Sequence, residues 1–236
     1  MIYPIKELDK KKIISFCVYG TAPMYNVGAF RNAELAKIIY PDWICRFYIF
    51  KECHHIKDEL TKHSNVEVVL INKPGSHYSM LYRFLPLGEK NVSYFISRDT
   101  DSRLSVREKE AVVRWITFNK TFHIMKDHPL HHTDGFPILG GMWGAKGGIV
   151  PNIEELINTF IDKNENKHGM DQDFLYFVYH KLAKQDNITH TENTFPISRN
   201  IDRDKIWFVG QPIDENEQFH GPWKMFLDIL GVSYEK

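Results

Sequence analysis

One stretch of this 236-residue chain carries residue types that could do chemistry at once: Tyr94-Phe95-Ile96-Ser97-Arg98-Asp99-Thr100-Asp101-Ser102-Arg103. An apolar run ends in two carboxylates one residue apart, with arginines on both sides. Side chains at i and i+2 of a strand point the same way, so Asp99 and Asp101 are expected to form a paired negative site where a strand leaves the core. Such a pair suits a hard divalent cation whose remaining positions are filled by phosphate oxygens of a substrate. Arg98 and Arg103 could bind the same phosphates bidentately, or could only neutralise the two acids. The plain alternative is a turn whose Asp and Ser side chains satisfy free amides ahead of the next helix.

Four further segments invite a chemical reading. Asp171-Gln172-Asp173 opens a predicted helix, where acids could bind a ligand or could simply complement the helix dipole. Gly140-Gly141-Met142-Trp143-Gly144 could let backbone approach a ligand, with the Trp face on a sugar ring, or could be a turn with a core Trp. Asp127-His128, followed by His131 and His132, has zinc-compatible residue types but no zinc-site spacing, and the chain has 12 histidines to scatter. His220, in Phe219-His-Gly-Pro-Trp223, could return to a metal or could sit on the surface beside a packed Trp.

The elements that must position these residues are legible as alternating strands and helices. Strands are expected over 13–19, 44–50, 66–71, 92–97 and 122–126, with fragments around Ile188 and Ile206. Helices are expected from Val27 to Tyr40 with Asn26 as cap, over 54–63 and 80–85, from Ser105 to about Phe118, and near 153–163 and 171–182. Residues 127–150 are the most unusual segment, and Gly147-Gly148 beside Gly140 to Gly144 suggest a mobile loop over a site. This order implies a mostly parallel sheet covered on both faces, with ligands held at the carboxyl ends of the strands. Gly20-Thr21, Ser76-His77-Tyr78 and Arg98 to Asp101 all fall at such ends.

Hydrophobic content of 43% supports a sizeable core, and a formal net charge of zero gives no reason to expect nucleic acid or an anionic membrane as partner. Three cysteines with no C-x-x-C pair suggest reduced thiols and an intracellular setting. No apolar run has the length of a membrane span, and the lysine-bearing N-terminus lacks the apolar segment of a signal peptide. The expected location is the cytoplasm, that of the host if the source is viral.

Taken together, the motifs resemble nucleotide-sugar glycosyltransferases of the GT-A fold, in particular soluble ones from large DNA viruses and bacterial surface-polysaccharide loci. The resemblance rests on Tyr25-Asn-Val-Gly28 with Asn32, Tyr40-Pro-Asp-Trp43, Met80-Leu-Tyr-Arg83-Phe, Ser97 to Arg103, Met125-Lys-Asp-His128-Pro and Gly140 to Gly144. It implies a single α/β domain of Rossmann-like GT-A type, a mixed and mostly parallel sheet flanked by helices. A nucleotide-binding half would cover about 1–103 and a sugar and acceptor half about 104–236. It also implies transfer of a hexose-type sugar from a UDP-sugar to a hydroxyl of a glycan or glycoconjugate.

By the same resemblance, Asp99 and Asp101 hold Mn2+ or Mg2+, with Asp101 the direct ligand and His220 the loosest match to a third. Tyr19, Gly20, Thr21 and Tyr25 hold the nucleotide, and Arg83 and Arg98 the diphosphate or donor sugar. Gly141 and Trp143 border the sugar. Asp171 binds sugar hydroxyls as in retaining glycogenin-like transferases, and Gln172 faces the reacting centre. Asp127 and His128 line the same pocket and, with Asp171, are the candidate bases for an inverting reaction. A haloacid-dehalogenase-type phosphatase also uses Asp-x-Asp after a strand, but it needs a Thr or Val at the fifth position, where this chain has Arg103. A carbohydrate-binding module without catalysis would bind sugar without metal-dependent nucleotide binding. On the expectation that Asp101 faces solvent, Asp101→Asn abolishes activity and leaves thermal stability within about 1 kcal/mol, as activity assays and melting curves would show.

Overall fold

The computed structural model describes residues 10–132, 135–191 and 208–221. The strand expected around Ile206 and the Pro222 to Lys224 part of the late motif lie outside them.

Among the described residues, seven strands form one sheet: β1 (Lys11–Val18), β2 (Ile44–Phe50), β3 (Val66–Ile71), β4 (Val92–Ser97), β5 (Phe122–Lys126), β6 (Trp143–Lys146) and β7 (Asn187–Thr191), in the order β3-β2-β1-β4-β6-β5-β7. β1 to β4 are mutually parallel, β6 runs antiparallel to both β4 and β5, and β7 is parallel to β5. Only β6 is reversed, so the sheet is mixed and mostly parallel. The chain runs outward from β1 through β2 to β3, then crosses back to lay β4 on the other side of β1. The crevice beyond the carboxyl ends of β1 and β4 is therefore a topological switch point, where open α/β sheets bind ligands.

Alternation along the central strands builds a core on each face. Ile13 and Phe95 belong to one cluster with Phe84, Trp143 and Phe174. Their neighbours Ile14 and Ile96 belong to the other, with Phe16, Phe47, Tyr40, Trp43 and Trp115. The helices that cover the sheet are α1 (Pro23–Ile39), the single turn α2 (Lys57–Leu60), α3 (Val106–Thr117), α4 (Ile153–Lys163) and α5 (Met170–Val178). α1 begins a turn earlier than its expected Asn26 cap because Pro23 occupies the first turn, where its fixed φ and missing N–H carry no penalty. α3 has the expected cap, with Ser105 Oγ accepting from the Glu108 N–H. Residues 51–56 and 77–88 are 3-10 helix, and the helix expected over 171–182 is α5 followed by a π-helical turn over 179–183.

The expected mobile segment contains a buried central strand instead. β6 slots between β4 and β5, and its Gly144 packs so closely that a Cβ would lie 2.6 Å from the Phe95 carbonyl oxygen. Glycine there serves sheet packing. Trp143 is fully buried against Phe84 and Phe95, so it is core rather than a sugar platform.

His123 on β5 is enclosed, stacked on Trp115 and 3.0 Å from the His190 ring nitrogen on β7. Burial first, then His190 and Arg98, holds its pKa well below the ordinary value, and burial pulls His190 down to about 4. Both rings fold neutral, whereas the unfolded chain protonates them near pH 6.5. Their contribution to stability is therefore full above about pH 6.5 and is lost as pH falls toward 4. Melting temperature should drop across that window, and His123→Leu should flatten the slope measured by pH-resolved calorimetry.

Candidate active site

β4 ends at Ser97, and Asp99 and Asp101 sit on a turn beyond it, closed by Ser102, whose N–H and hydroxyl both donate to the Asp99 carbonyl. The acids are brought together by this turn and not by strand alternation. α1 holds the turn from behind. A Cβ on Gly28 would lie 1.8 Å from the Thr100 carbonyl oxygen, so only glycine lets the helix come this close. One turn along, the Asn32 amide donates to the Ser102 carbonyl at 2.8 Å and accepts from the Leu104 N–H at 3.0 Å. The Gly28 and Asn32 elements of the sequence motif are thus the scaffold of the acidic turn.

Arg103 is part of the same scaffold. Its buried guanidinium donates to the Thr100 and Ser102 carbonyls and pairs with Glu217 at 2.9 Å. It thereby ties the turn to residues 208–221, whose Ile213 N–H also donates to the Asp101 carbonyl at 2.6 Å. Arg98 turns inward. It is 1% exposed, pairs with Glu108 at 2.9 Å, and donates to the Ser97 and Trp143 carbonyls. The expectation that Arg98 meets a diphosphate is not met, because its charge is spent on Glu108, which also accepts from the Tyr40 hydroxyl.

Arg83 is the cation that reaches the site. From the 77–88 helix it pairs with Asp99 through one nitrogen and with Asp171, at 2.9 Å, through the other. It joins the acidic turn to the first turn of α5. Beneath this triad lie Gly140 and Gly141. A Cβ on Gly140 would stand 2.4 Å from both Arg83 and Asp171, and one on Gly141 would stand 1.9 Å from the Asp99 carboxylate. These two glycines are the floor that lets three charged side chains converge.

The result is a cleft of about 370 Å³ lined by Cys17, Tyr19, Tyr25, His77, Met80, Arg83, Asp99, Thr100, Asp101, Gly140, Gly141, His168, Gly169, Asp171 and Gln172. The structure thus brings together Tyr19, Tyr25, Arg83, Asp99, Asp101, Gly141, Asp171 and Gln172 of the sequence-derived set, and it leaves out the rest. Gly20 turns at φ +82° beside the cleft and Thr21 is exposed. Asp127 is held by Arg107 and by the Val209 N–H, and His128 is buried against Phe208 and accepts from the Leu130 N–H. Neither of the two lines the cleft. His220 is exposed with its N–H on the Pro212 carbonyl, outside the lining. Asp173 pairs with Lys167 at 2.9 Å. Cys17, His168 and Gly169 enter the cleft without a sequence signal of their own; Met80 and Thr100 stood in the motifs without an assigned role, and His77 was marked only by its place after β3.

Three carboxylates face a single guanidinium here, and the electrostatics record the imbalance. Burial, then repulsion from Asp99, pushes Asp101 up to about 7. Burial, then Asp101 and Asp99, also raises Tyr25. A hard cation between the two carboxylates would relieve this excess, and the all-oxygen donor set fits Mn2+ or Mg2+. Among the described residues no third His, Cys, Asp or Glu completes a metal cluster, so the remaining ligands would come from substrate and water. Gln172 presents a buried carboxamide oxygen with no hydrogen-bond partner among the described residues.

No protein-family model and no curated protein sequence matches the chain. Among solved structures it is similar to 4-diphosphocytidyl-2C-methyl-D-erythritol synthase from Anaerococcus prevotii, with a TM-score of 0.50, 8% identity, and coverage of 83% of this chain and 93% of that one. It aligns at a TM-score of 0.46 with a glycosyltransferase involved in glycosylation of the major capsid of PBCV-1 (14% identity, 77% and 81% covered), and at 0.47 with the galactosyltransferase LgtC in complex with donor and acceptor sugar analogues (15% identity, 81% and 80% covered). With the strand order above, the first likeness defines a single mixed α/β domain with a mostly parallel, Rossmann-like sheet. At such identities it defines the fold alone. No helix among the described residues is long and apolar enough to cross a membrane.

The desolvated Asp101 carboxyl corrects the expectation of a solvent-facing acid with little effect on stability. Its folded pKa lies above the unfolded value of 3.8, so the folded state binds the proton more tightly. Stability from this group is greatest below pH 4 and is lost as pH rises toward 7. Asp101→Asn should therefore melt higher than wild type above pH 7 in the absence of divalent ions, and the gain should vanish near pH 4.

Proposed function

We propose that the protein is a metal-dependent glycosyltransferase that moves a hexose-type sugar from a UDP-sugar to a hydroxyl of a glycan or glycoconjugate, with retention at the anomeric carbon. The observation that carries this reading is the convergence of Asp99, Asp101, Arg83, Asp171 and Gln172 over the Gly140–Gly141 floor, at the switch point between β1 and β4. Glycosyl transfer needs the leaving diphosphate stabilised and an oxocarbenium-like centre held beside an acceptor. Mn2+ or Mg2+, held by Asp99 and Asp101, would supply Lewis-acid stabilisation of the leaving diphosphate.

The chain's own residues supply the rest. Arg83 fixes Asp171, leaving its other oxygen to accept from sugar hydroxyls, and Gln172, in the same turn of α5, lines the cleft next to it. Tyr19 and Tyr25 flank the nucleotide end. Retention is favoured over inversion by the fate of the candidate bases. Asp127 and His128 lie outside the cleft, and Asp171 is committed to Arg83. Position in the fold also speaks against the phosphatase, whose Asp-x-Asp belongs near the start of its core; here it follows the fourth strand.

Calorimetry should find UDP binding at least about tenfold tighter with Mn2+ than without it, a difference worth about 1.4 kcal/mol. A panel of UDP-sugars with Mn2+ should identify one donor that is hydrolysed to UDP, while p-nitrophenyl phosphate stays inert. Sugar binding without any Mn2+ effect on UDP would instead indicate a carbohydrate-binding protein. Gly141→Ala should lower turnover at least about 100-fold, a loss of about 2.7 kcal/mol of transition-state stabilisation, because its Cβ displaces Asp99.

A further inference from the structure

Glu52 lies outside the cleft, and no motif singled it out, yet its carboxylate joins the two loops that shape the nucleotide end. One oxygen accepts from the Gly20 N–H at 2.9 Å and from the Gly75 N–H at 3.1 Å, and the other accepts from Gly75 at 3.0 Å. Gly20 follows β1 directly after Tyr19, and Gly75 lies between β3 and His77. The short 51–56 helix that carries Glu52 reinforces both attachments. Its Cys53 thiol donates to the Gly20 carbonyl at 3.0 Å, its Lys51 N–H donates to the Lys73 carbonyl at 3.1 Å, and a ring nitrogen of His54 lies 3.2 Å from the Ile71 carbonyl.

Both partners are glycines, each for a stated reason. Gly20 adopts φ +82°, a conformation that favours glycine. At Gly75 a Cβ would stand 2.2 Å from Glu52 and 2.5 Å from the Tyr19 Cβ. The carboxylate therefore draws Gly75 directly against Tyr19, one of the two tyrosines of the cleft, whose ring also meets Phe50 edge-on at 6.5 Å. Backbone amides on an ionised acceptor make strong hydrogen bonds, and these hold the Glu52 pKa below its ordinary value against the opposing effect of burial.

We propose that Glu52 is a positioning residue for nucleotide binding. By bridging the Gly20 and Gly75 amides it sets the place of Tyr19 and of the segment entering the cleft at His77, and so preorganises the nucleotide end without touching the ligand. The nucleotide role rests on the sugar-transferase reading above; the bridge itself does not.

The test uses the full chain, UDP with Mn2+ as probe, and the variants Glu52→Ala and Glu52→Gln. Hydrogen exchange without ligand should show the Gly20 and Gly75 amides exchanging faster in Glu52→Ala, with β1 and β4 protected as in wild type. Calorimetry should show Glu52→Ala binding UDP at least about tenfold more weakly, as expected for loss of charge-assisted hydrogen bonds. Glu52→Gln, which keeps one oxygen for both amides, should remain within about threefold of wild type. A merely structural role would move melting temperature without this rescue. Unchanged exchange at both glycines overturns the bridge, and unchanged UDP affinity in Glu52→Ala overturns the positioning role. Failure of the wild type to bind UDP is a separate result: it overturns the sugar-transferase reading and with it the nucleotide role, while the exchange measurement still decides the bridge.

Discussion

The site depends on the Arg83 guanidinium, buried between Asp99 and Asp171. These two acids lie 72 positions apart in the chain, one after β4 and the other in the first turn of α5. Without a cation between them they would repel, and each would carry an uncompensated, partly desolvated charge. Breaking one partner out of such a buried ionic group costs about 3–5 kcal/mol. Arg83 is therefore what makes it possible to close α5 onto the acidic turn, and the Gly140–Gly141 floor exists because any side chain there would collide with this ionic group. The charge balance is left negative, and Asp101 shows the cost in a pKa pushed up to about 7 by burial and by Asp99. A divalent cation would complete the balance that Arg83 begins.

The other basic residues around the turn are spent on construction. Arg98 anchors it to α3 through Glu108, and Arg103 anchors it to the 208–221 segment through Glu217. α1 contributes a different kind of support, a glycine backbone pressed onto a carbonyl and an asparagine that satisfies both a donor and an acceptor. An acidic turn just beyond the β4 ladder is thus held from three sides. That rigidity lets two carboxylates stay close in the absence of a cation, and it fits a site that must offer a fixed geometry to a flexible diphosphate.

Much of this was legible in the sequence, for identifiable reasons. Short apolar runs bounded by Gly, Pro and Asn gave β2, β3, β4 and β5 with their observed bounds, because buried parallel strands read as continuous hydrophobic segments. The acidic pair and Asp171 stood out by residue type. What could not be read was direction. Arg98 and Arg83 are equally plausible ligands on paper; only packing turns one into the core and the other into the cleft. β6 was hidden because glycine usually signals a loop, whereas here Gly144 makes room for a neighbouring strand. Asp127 and His128 drew notice by composition, but Arg107 and the Val209 amide had already claimed Asp127. Glu52 gave no signal, since its function is carried by backbone amides that no side-chain pattern reports.

The most direct measurement of the central claim is a crystal structure of the wild-type protein soaked with UDP and Mn2+, with anomalous data collected near the manganese edge. An anomalous peak is expected at the Asp99 and Asp101 carboxylates, bridging to the diphosphate, with the nucleotide lying between Tyr19 and Tyr25. A cleft in which UDP binds without a manganese peak at these two carboxylates, or a peak elsewhere on the protein, would contradict the claim.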